Sequence, residues 1–148
     1  MTDSFPPIAS LLPHAGAMVM LESIDHFDDT RIVCSTTRHR AADNPMRGGS
    51  GGRLHALCGI EFAAQAMALH GALRRSPPSA LRHGRVAAVR DIAARCRYLD
   101  AVEGPLVIEC RLEAAAVNAY AYLFTLNGGG EVLLRGAATV MMSDGELA

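Results

Sequence analysis

Residues 54–73 read LHALCGIEFAAQAMALHGAL, and the fold turns on how that stretch is read. Its alanines, leucines and methionine are good helix formers, and no proline interrupts it. The spacing predicts one helix from Leu54 to Leu73. Apolar residues cover nearly its whole circumference, and a helix apolar on every side belongs inside a protein. Two polar side chains break that pattern. Glu61 and Gln65 stand four residues apart, so they share one helix face. An amide one turn beyond a carboxylate is placed to hold it by a hydrogen bond.

Outward from the helix the chain changes character. Arg47 to Arg53 holds Gly48, Gly49, Gly51 and Gly52 around Ser50, a composition too costly in backbone entropy for regular structure. It is expected to be a flexible loop. Beyond the helix, Arg74 to Gly84 contains Pro77 and Pro78 and reads as an exposed connection. The remainder reads as strand: Met18 to Phe27 and Arg31 to Arg38 about a turn at Asp28-Asp29-Thr30, then Arg85 to Tyr98, Leu106 to Ala116, Ala119 to Leu126 and Glu131 to Met142. Asn127-Gly128-Gly129-Gly130 is the strongest turn signal among them. In Leu106 to Glu113 apolar and polar residues alternate, which implies one buried and one wet face. Two strands, a buried helix and a four-strand meander give an α+β protein, an antiparallel sheet wrapped around one central helix. That is the hotdog arrangement. A single hotdog leaves an apolar edge uncovered, so a dimer is expected.

The 148 residues suffice for one domain, 1–148, and the composition, 50% hydrophobic and 20% charged, is that of a globular protein. The net charge of -1 speaks against nucleic-acid binding, which needs clustered basic residues. No apolar run is expected to span a bilayer, and Met1 to Ser10 lacks the basic start of a signal peptide; the expected compartment is the cytoplasm. Cys34, Cys58, Cys96 and Cys110 are widely spaced with no CxxC pair, so they read as reduced thiols filling apolar space rather than as a metal site. No metal or redox cofactor is implied, and the glycine run lacks the Walker and dinucleotide spacings.

Three segments resemble the 3-hydroxyacyl-ACP dehydratases of fatty-acid synthesis. Leu11-Leu12-Pro13-His14-Ala15-Gly16-Ala17-Met18-Val19-Met20-Leu21 is similar to their opening LPHRxPFLLVD. Cys58 to Ala66 is similar to their LIIEALAQA helix. Arg90 to Tyr98, followed by Glu103-Gly104, is similar to a strand ending KARFRRPVxPGD. The LPHAGxM opening and GIE(Y/F)xAQ helix bring the chain closer to the dehydratase-like branch of aryl-polyene and polyketide pigment clusters. In the main family a GHFP histidine and the helix glutamate form the catalytic pair. The glutamate carries over to Glu61. The histidine does not: Arg47 and the glycine run stand in its place, and His55-Ala56 replaces the family's Pro-Gly at the helix start.

The resemblance implies elimination of water from a 3-hydroxyacyl thioester carried on acyl carrier protein or coenzyme A. That chemistry needs a base for the C2 proton, an acid for the C3 hydroxyl, and donors for the thioester oxygen. Glu61 is the expected acid, its carboxyl raised by burial unless paired. His14 is the leading candidate for the base, with His55 the alternative if the chain there is not yet helical. Backbone N–H groups around Ala56, Leu57 and Cys58 are the expected oxygen donors, and Gln65 the residue that steadies Glu61. Met18, Met20, Met67, Met141 and Met142 suit either a tunnel lining or the core. Arg74, Arg75, Arg82 and Arg85 form a basic cluster suited to an acidic carrier protein or to plain solvation. His70, on the far face of the helix, reads as a core or surface histidine, and His26, His39 and His83 have no functional context. Two further readings remain open: a subunit without catalysis that pairs with an active hotdog dehydratase, and a thioesterase using the helix carboxylate to activate water.

Overall fold

A computed structural model describes residues 4–48, 52–79 and 84–142. Gly49, Ser50 and Gly51 of the glycine run, and Arg82 and His83 of the later connection, lie outside the described residues. Six strands form one antiparallel sheet: β1 (Ser23–Asp28), β2 (Arg31–Thr36), β3 (Gly84–Ala94), β4 (Leu106–Ala115), β5 (Ala119–Gly128) and β6 (Glu131–Met142), in the order β1-β2-β4-β5-β6-β3. A four-residue helix, α1 (Ile8–Leu11), precedes them, and the long helix α2 (Gly59–Arg74) follows β2 and packs on the sheet. This is the hotdog fold.

The turns form where the chain is built to turn. At β1–β2 the Asp28 carboxylate accepts the Thr30 N–H at 2.9 Å and binds His26 Nε2 at 2.8 Å. Those two bonds, the His26 one foremost, hold that carboxyl well below the usual carboxylate range. At β5–β6, Gly129 and Gly130 adopt φ of 59° and 79°, the left-handed pair a tight hairpin turn requires. The alternation read in β4 is present: Leu106, Ile108 and Cys110 are buried, whereas Arg111 is exposed.

Three boundaries differ from expectation. The first strand starts at Ser23 rather than Met18, because Gly16–Met18 forms a short 3-10 turn with Gly16 at φ 58°. The helix starts at Gly59 rather than Leu54; Ala56–Cys58 is a separate 3-10 turn. β3 stops at Ala94, short of Tyr98, after a bulge at which Asp91 takes φ 57°. Together Ala56–Arg74 make 19 residues long and apolar enough, by length and composition, to cross a bilayer, nearer that limit than the sequence reading allowed. Here the stretch is largely covered: Phe62, Leu69 and His70 have no exposed surface. Gly59 lets it approach, since a Cβ there would lie 2.8 Å from side-chain carbons of both Leu126 and Leu134.

Coverage of α2 is nevertheless uneven. Ile60, Glu61, Ala64, Ala68 and Gly71 are only partly buried, and their spacing places them on one stripe. Beside it runs β3, an edge strand paired only with β6. Ala87, Ala88 and Val89 of that strand are exposed.

Candidate active site

The half-covered stripe of α2 forms one wall of a cavity of about 340 Å³. Ile60, Glu61, Ala64 and Ala68 come from the helix; Gly84, Arg85, Val86 and Val140 come from β3 and β6; Pro13 and His14 close the remaining side. Glu61 is therefore not buried as the sequence suggested, since the stripe it occupies lies open to the cavity. Its side chain is 32% exposed, and it is paired: His14 Nε2 lies 3.0 Å from Glu61 Oε1.

Gln65 builds that pairing. Fully buried, it accepts the Met20 N–H on Oε1 at 2.8 Å. Its Nε2 donates to the Met18 carbonyl at 2.7 Å and to Glu61 Oε1 at 3.1 Å. The amide thus ties the segment carrying His14 to the helix carrying Glu61 and uses its full donor capacity doing so. Leu11 and Leu12, buried in the core, fix the start of the same segment, and Arg38 Nη2 holds the Ala17 carbonyl at 2.9 Å. His14 Nδ1 is buried without a hydrogen-bond partner. Among the described residues the Nε2–Oε1 contact is therefore the ring's one hydrogen-bonding contact.

The other candidates are placed elsewhere. The His55 ring meets Tyr98 edge-on with centroids 6.2 Å apart, and its Nδ1 accepts the Leu57 N–H at 3.1 Å. That histidine caps the 3-10 turn and does not line the cavity. The backbone N–H groups named as oxygen donors at the helix start each have an acceptor within the chain. Ala56 N–H goes to the Arg97 carbonyl at 2.9 Å, Leu57 N–H to His55, and Cys58 N–H to the His55 carbonyl at 2.9 Å. Gly59 N–H is spent on the Ala56 and Leu57 carbonyls.

Met20 and Met67 are core residues, Met18 and Met141 are exposed, and none of the five methionines lines the cavity. His70 is a core histidine, bonded to Tyr122 Oη at 2.8 Å and to the Asp28 carbonyl at 2.9 Å. Burial lowers its pKa and raises that of Tyr122. His39 is buried against the Val102 carbonyl at 3.0 Å. Cys34 and Cys110 sit in the core, where burial pushes the Cys34 thiol up to about 12 and Cys110 well above its ordinary value. Thiols so held are inert. Of the basic cluster, Arg74 lies 6.0 Å from the Tyr120 ring and Arg85 lines the cavity. The sequence signal for the cavity wall was present: Ile60, Ala64 and Ala68 at four-residue spacing beside Glu61. The contribution of Arg85 was not legible, because nothing local ties β3 to the helix face.

Comparison with known proteins follows the same lines. Residues 6–148 match the family described as ApeP-like, ApeP dehydratase. Among solved structures, the dehydratase heterocomplex ApeI:P from Xenorhabdus doucetiae superimposes with a TM-score of 0.84 at 21% identity, over 97% of this chain and 95% of that one. A mutant thioesterase from Staphylococcus aureus matches at 0.57 and 16% identity, over 82% of this chain and 93% of that one. A hypothetical thioesterase with coenzyme A from Streptococcus pneumoniae matches at 0.56 and 13%, over 82% and 84%. At these identities the structural likenesses bear on the fold alone. No curated protein matches the sequence.

Proposed function

Because this chain belongs to the ApeP-like family of dehydratases, we propose that it removes water from a 3-hydroxyacyl thioester with His14 and Glu61 as the reacting pair. The observation that carries this reading is the 3.0 Å contact between His14 Nε2 and Glu61 Oε1 on the wall of an otherwise largely apolar cavity. An acyl chain fits such a cavity, and the pair supplies an acid and a base within one substrate's reach.

The proton count closes on these two residues. His14 takes the C2 proton, and the electron pair moves into an enolate. The enolate expels the C3 hydroxyl, which leaves as water with a proton from Glu61. The pair is then one imidazolium and one carboxylate, and direct transfer across the 3.0 Å contact restores it. Gln65 is a positioning residue: it holds Glu61 and fixes the segment that carries His14.

The substrate is proposed to ride on acyl carrier protein or coenzyme A, in aryl-polyene or related polyketide synthesis, as the LPHAG opening and the GIEF helix suggest. The place that fits such synthesis is the cytoplasm. A second hotdog subunit, a copy of this chain or a related one, is proposed to cover the α2 stripe and the β3 edge. Exposed Ala87, Ala88 and Val89 on a strand paired on one side favour it, and the relative from Xenorhabdus is itself a heterocomplex.

The test is elimination from a 3-hydroxyacyl thioester and hydration of the trans-2-enoyl product. Wild type, Glu61→Gln and His14→Ala are compared, each alone and with the partner hotdog subunit. Loss of turnover by orders of magnitude in both variants, with the fold intact, supports the reading. Full turnover in the Glu61→Gln complex would leave this chain as the partner of a site located elsewhere, and release of the free acid would favour thioester hydrolysis.

A further inference from the structure

The dehydration reading leaves one requirement unmet. When the C2 proton departs, negative charge develops on the thioester oxygen, and that charge needs a preorganised donor. The four N–H groups from Ala56 to Gly59, where the helical segment opens, are all committed to acceptors within the chain. Both Nε2 hydrogens of Gln65 are spent on Met18 and Glu61. His14 and Glu61 contact one another and are already assigned to the two proton transfers.

Of the side chains lining the cavity, one cationic donor remains. Arg85, on β3, lines the same cavity as Glu61 and His14, and among the described residues its guanidinium has no carboxylate or hydrogen-bond partner. Its neighbours in the wall, Gly84, Val86, Val140, Ile60, Ala64 and Ala68, offer no competing side-chain acceptor. Arginine keeps its charge throughout and presents a planar fork of donors that suits an enolate oxygen.

Resting on the dehydration reading, we propose that Arg85 is a catalytic residue, whose guanidinium donates hydrogen bonds to the thioester carbonyl oxygen and stabilises the enolate. The step needs no further reactant. The proton passes from C2 to His14, the electron pair spreads onto the oxygen held by Arg85, and the C3–O bond breaks as Glu61 protonates the departing hydroxyl. The oxyanion donor has thereby moved from the helix start to the edge strand.

The experiment uses short N-acetylcysteamine thioesters, which lack the carrier's phosphate, and compares wild type with Arg85→Met, Arg85→Lys and Glu61→Gln. Arg85→Met, which has no donor, is expected to lower kcat about 10²–10³-fold with little change in KM, and Arg85→Lys to restore part of it. A second readout needs no turnover: the carbonyl stretch of a bound trans-2-enoyl thioester by difference infrared spectroscopy. Wild type and Glu61→Gln should move it to lower frequency, and Arg85→Met should not. A shift that persists in Arg85→Met overturns the proposal and leaves the main-chain amides of β3 as the donors. So does a defect confined to the KM of phosphate-bearing thioesters, which would make Arg85 an anchor for the carrier arm. Absence of turnover in wild type would count against the dehydration reading itself, whereas the infrared shift still decides the role of Arg85.

Discussion

Gln65 does more for the site than any other single residue, because its one amide joins two segments 45 residues apart in sequence. Gln65→Leu keeps comparable volume but strands the buried Met20 N–H and releases the Met18 carbonyl. Each unsatisfied buried group costs about 1–3 kcal/mol, so the variant should lose about 2–4 kcal/mol in urea unfolding and most of its turnover. His55 provides the contrast. Its ring caps a 3-10 turn at the surface, so His55→Ala should lower stability by about 1 kcal/mol and leave kcat within a few-fold of wild type. A collapse of kcat in that variant would return His55 to the chemistry. The sequence made Glu61 and Gln65 visible, since polar residues on an apolar helix are costly without a purpose. It ranked His14 above His55 by resemblance to a family and because a helix continued back to His55 would turn that ring away from Glu61. The contact that joins His14 to Glu61 is long-range and left no local trace.

At the scale of the element, α2 was legible in its interior and misread at its start. Its apolar run and the prolines after Arg74 marked the body and the stop. Leu54 to Cys58 looked equally helical, yet His55 is extended, with ψ 147°, and the turn that follows is 3-10. The hydrogen bonds that tie this stretch to the Arg97 and Tyr98 segment decided it, and tertiary pairing of that kind overrides local propensity. The same pairing consumes the backbone donors expected there. Gly59 sets how closely α2 sits on the sheet. Gly59→Ala adds a methyl group against Leu126 and Leu134, both fully buried, and should cost about 1–3 kcal/mol, read as an earlier urea midpoint. An unchanged midpoint would mean that the helix is free to lift off those strands.

For the whole molecule, two buried histidines set the response to acid. His70 and His39 both have pKa values lowered from 6.5, chiefly by desolvation. The unfolded chain therefore takes up protons at these sites before the folded one does. Stability contributed in this way is complete above the unfolded value near 6.5 and is lost as pH falls through the lower, folded values. Urea unfolding across pH 5–8 should show stability rising with pH, and His70→Gln should flatten part of that slope; a flat wild-type profile would contradict it. The β1–β2, β4–β5 and β5–β6 hairpins and the wet and dry faces of β4 were readable from turn spacing and alternation, but the expected four-strand meander was not met, since β3 pairs with β6 and β4 with β2. The cavity was not readable, because its walls come from residues 13–14, 60–68, 84–86 and 140, which only the packing of helix on sheet brings together. The central claim, that His14 and Glu61 perform an elimination in that cavity, is tested most directly by incubating a 3-hydroxyacyl carrier-protein thioester with the purified chain, alone and with the hotdog subunit proposed to pair with it. Mass spectrometry should show loss of one water from the acyl group with wild type and none with Glu61→Gln; equal loss with both would contradict it.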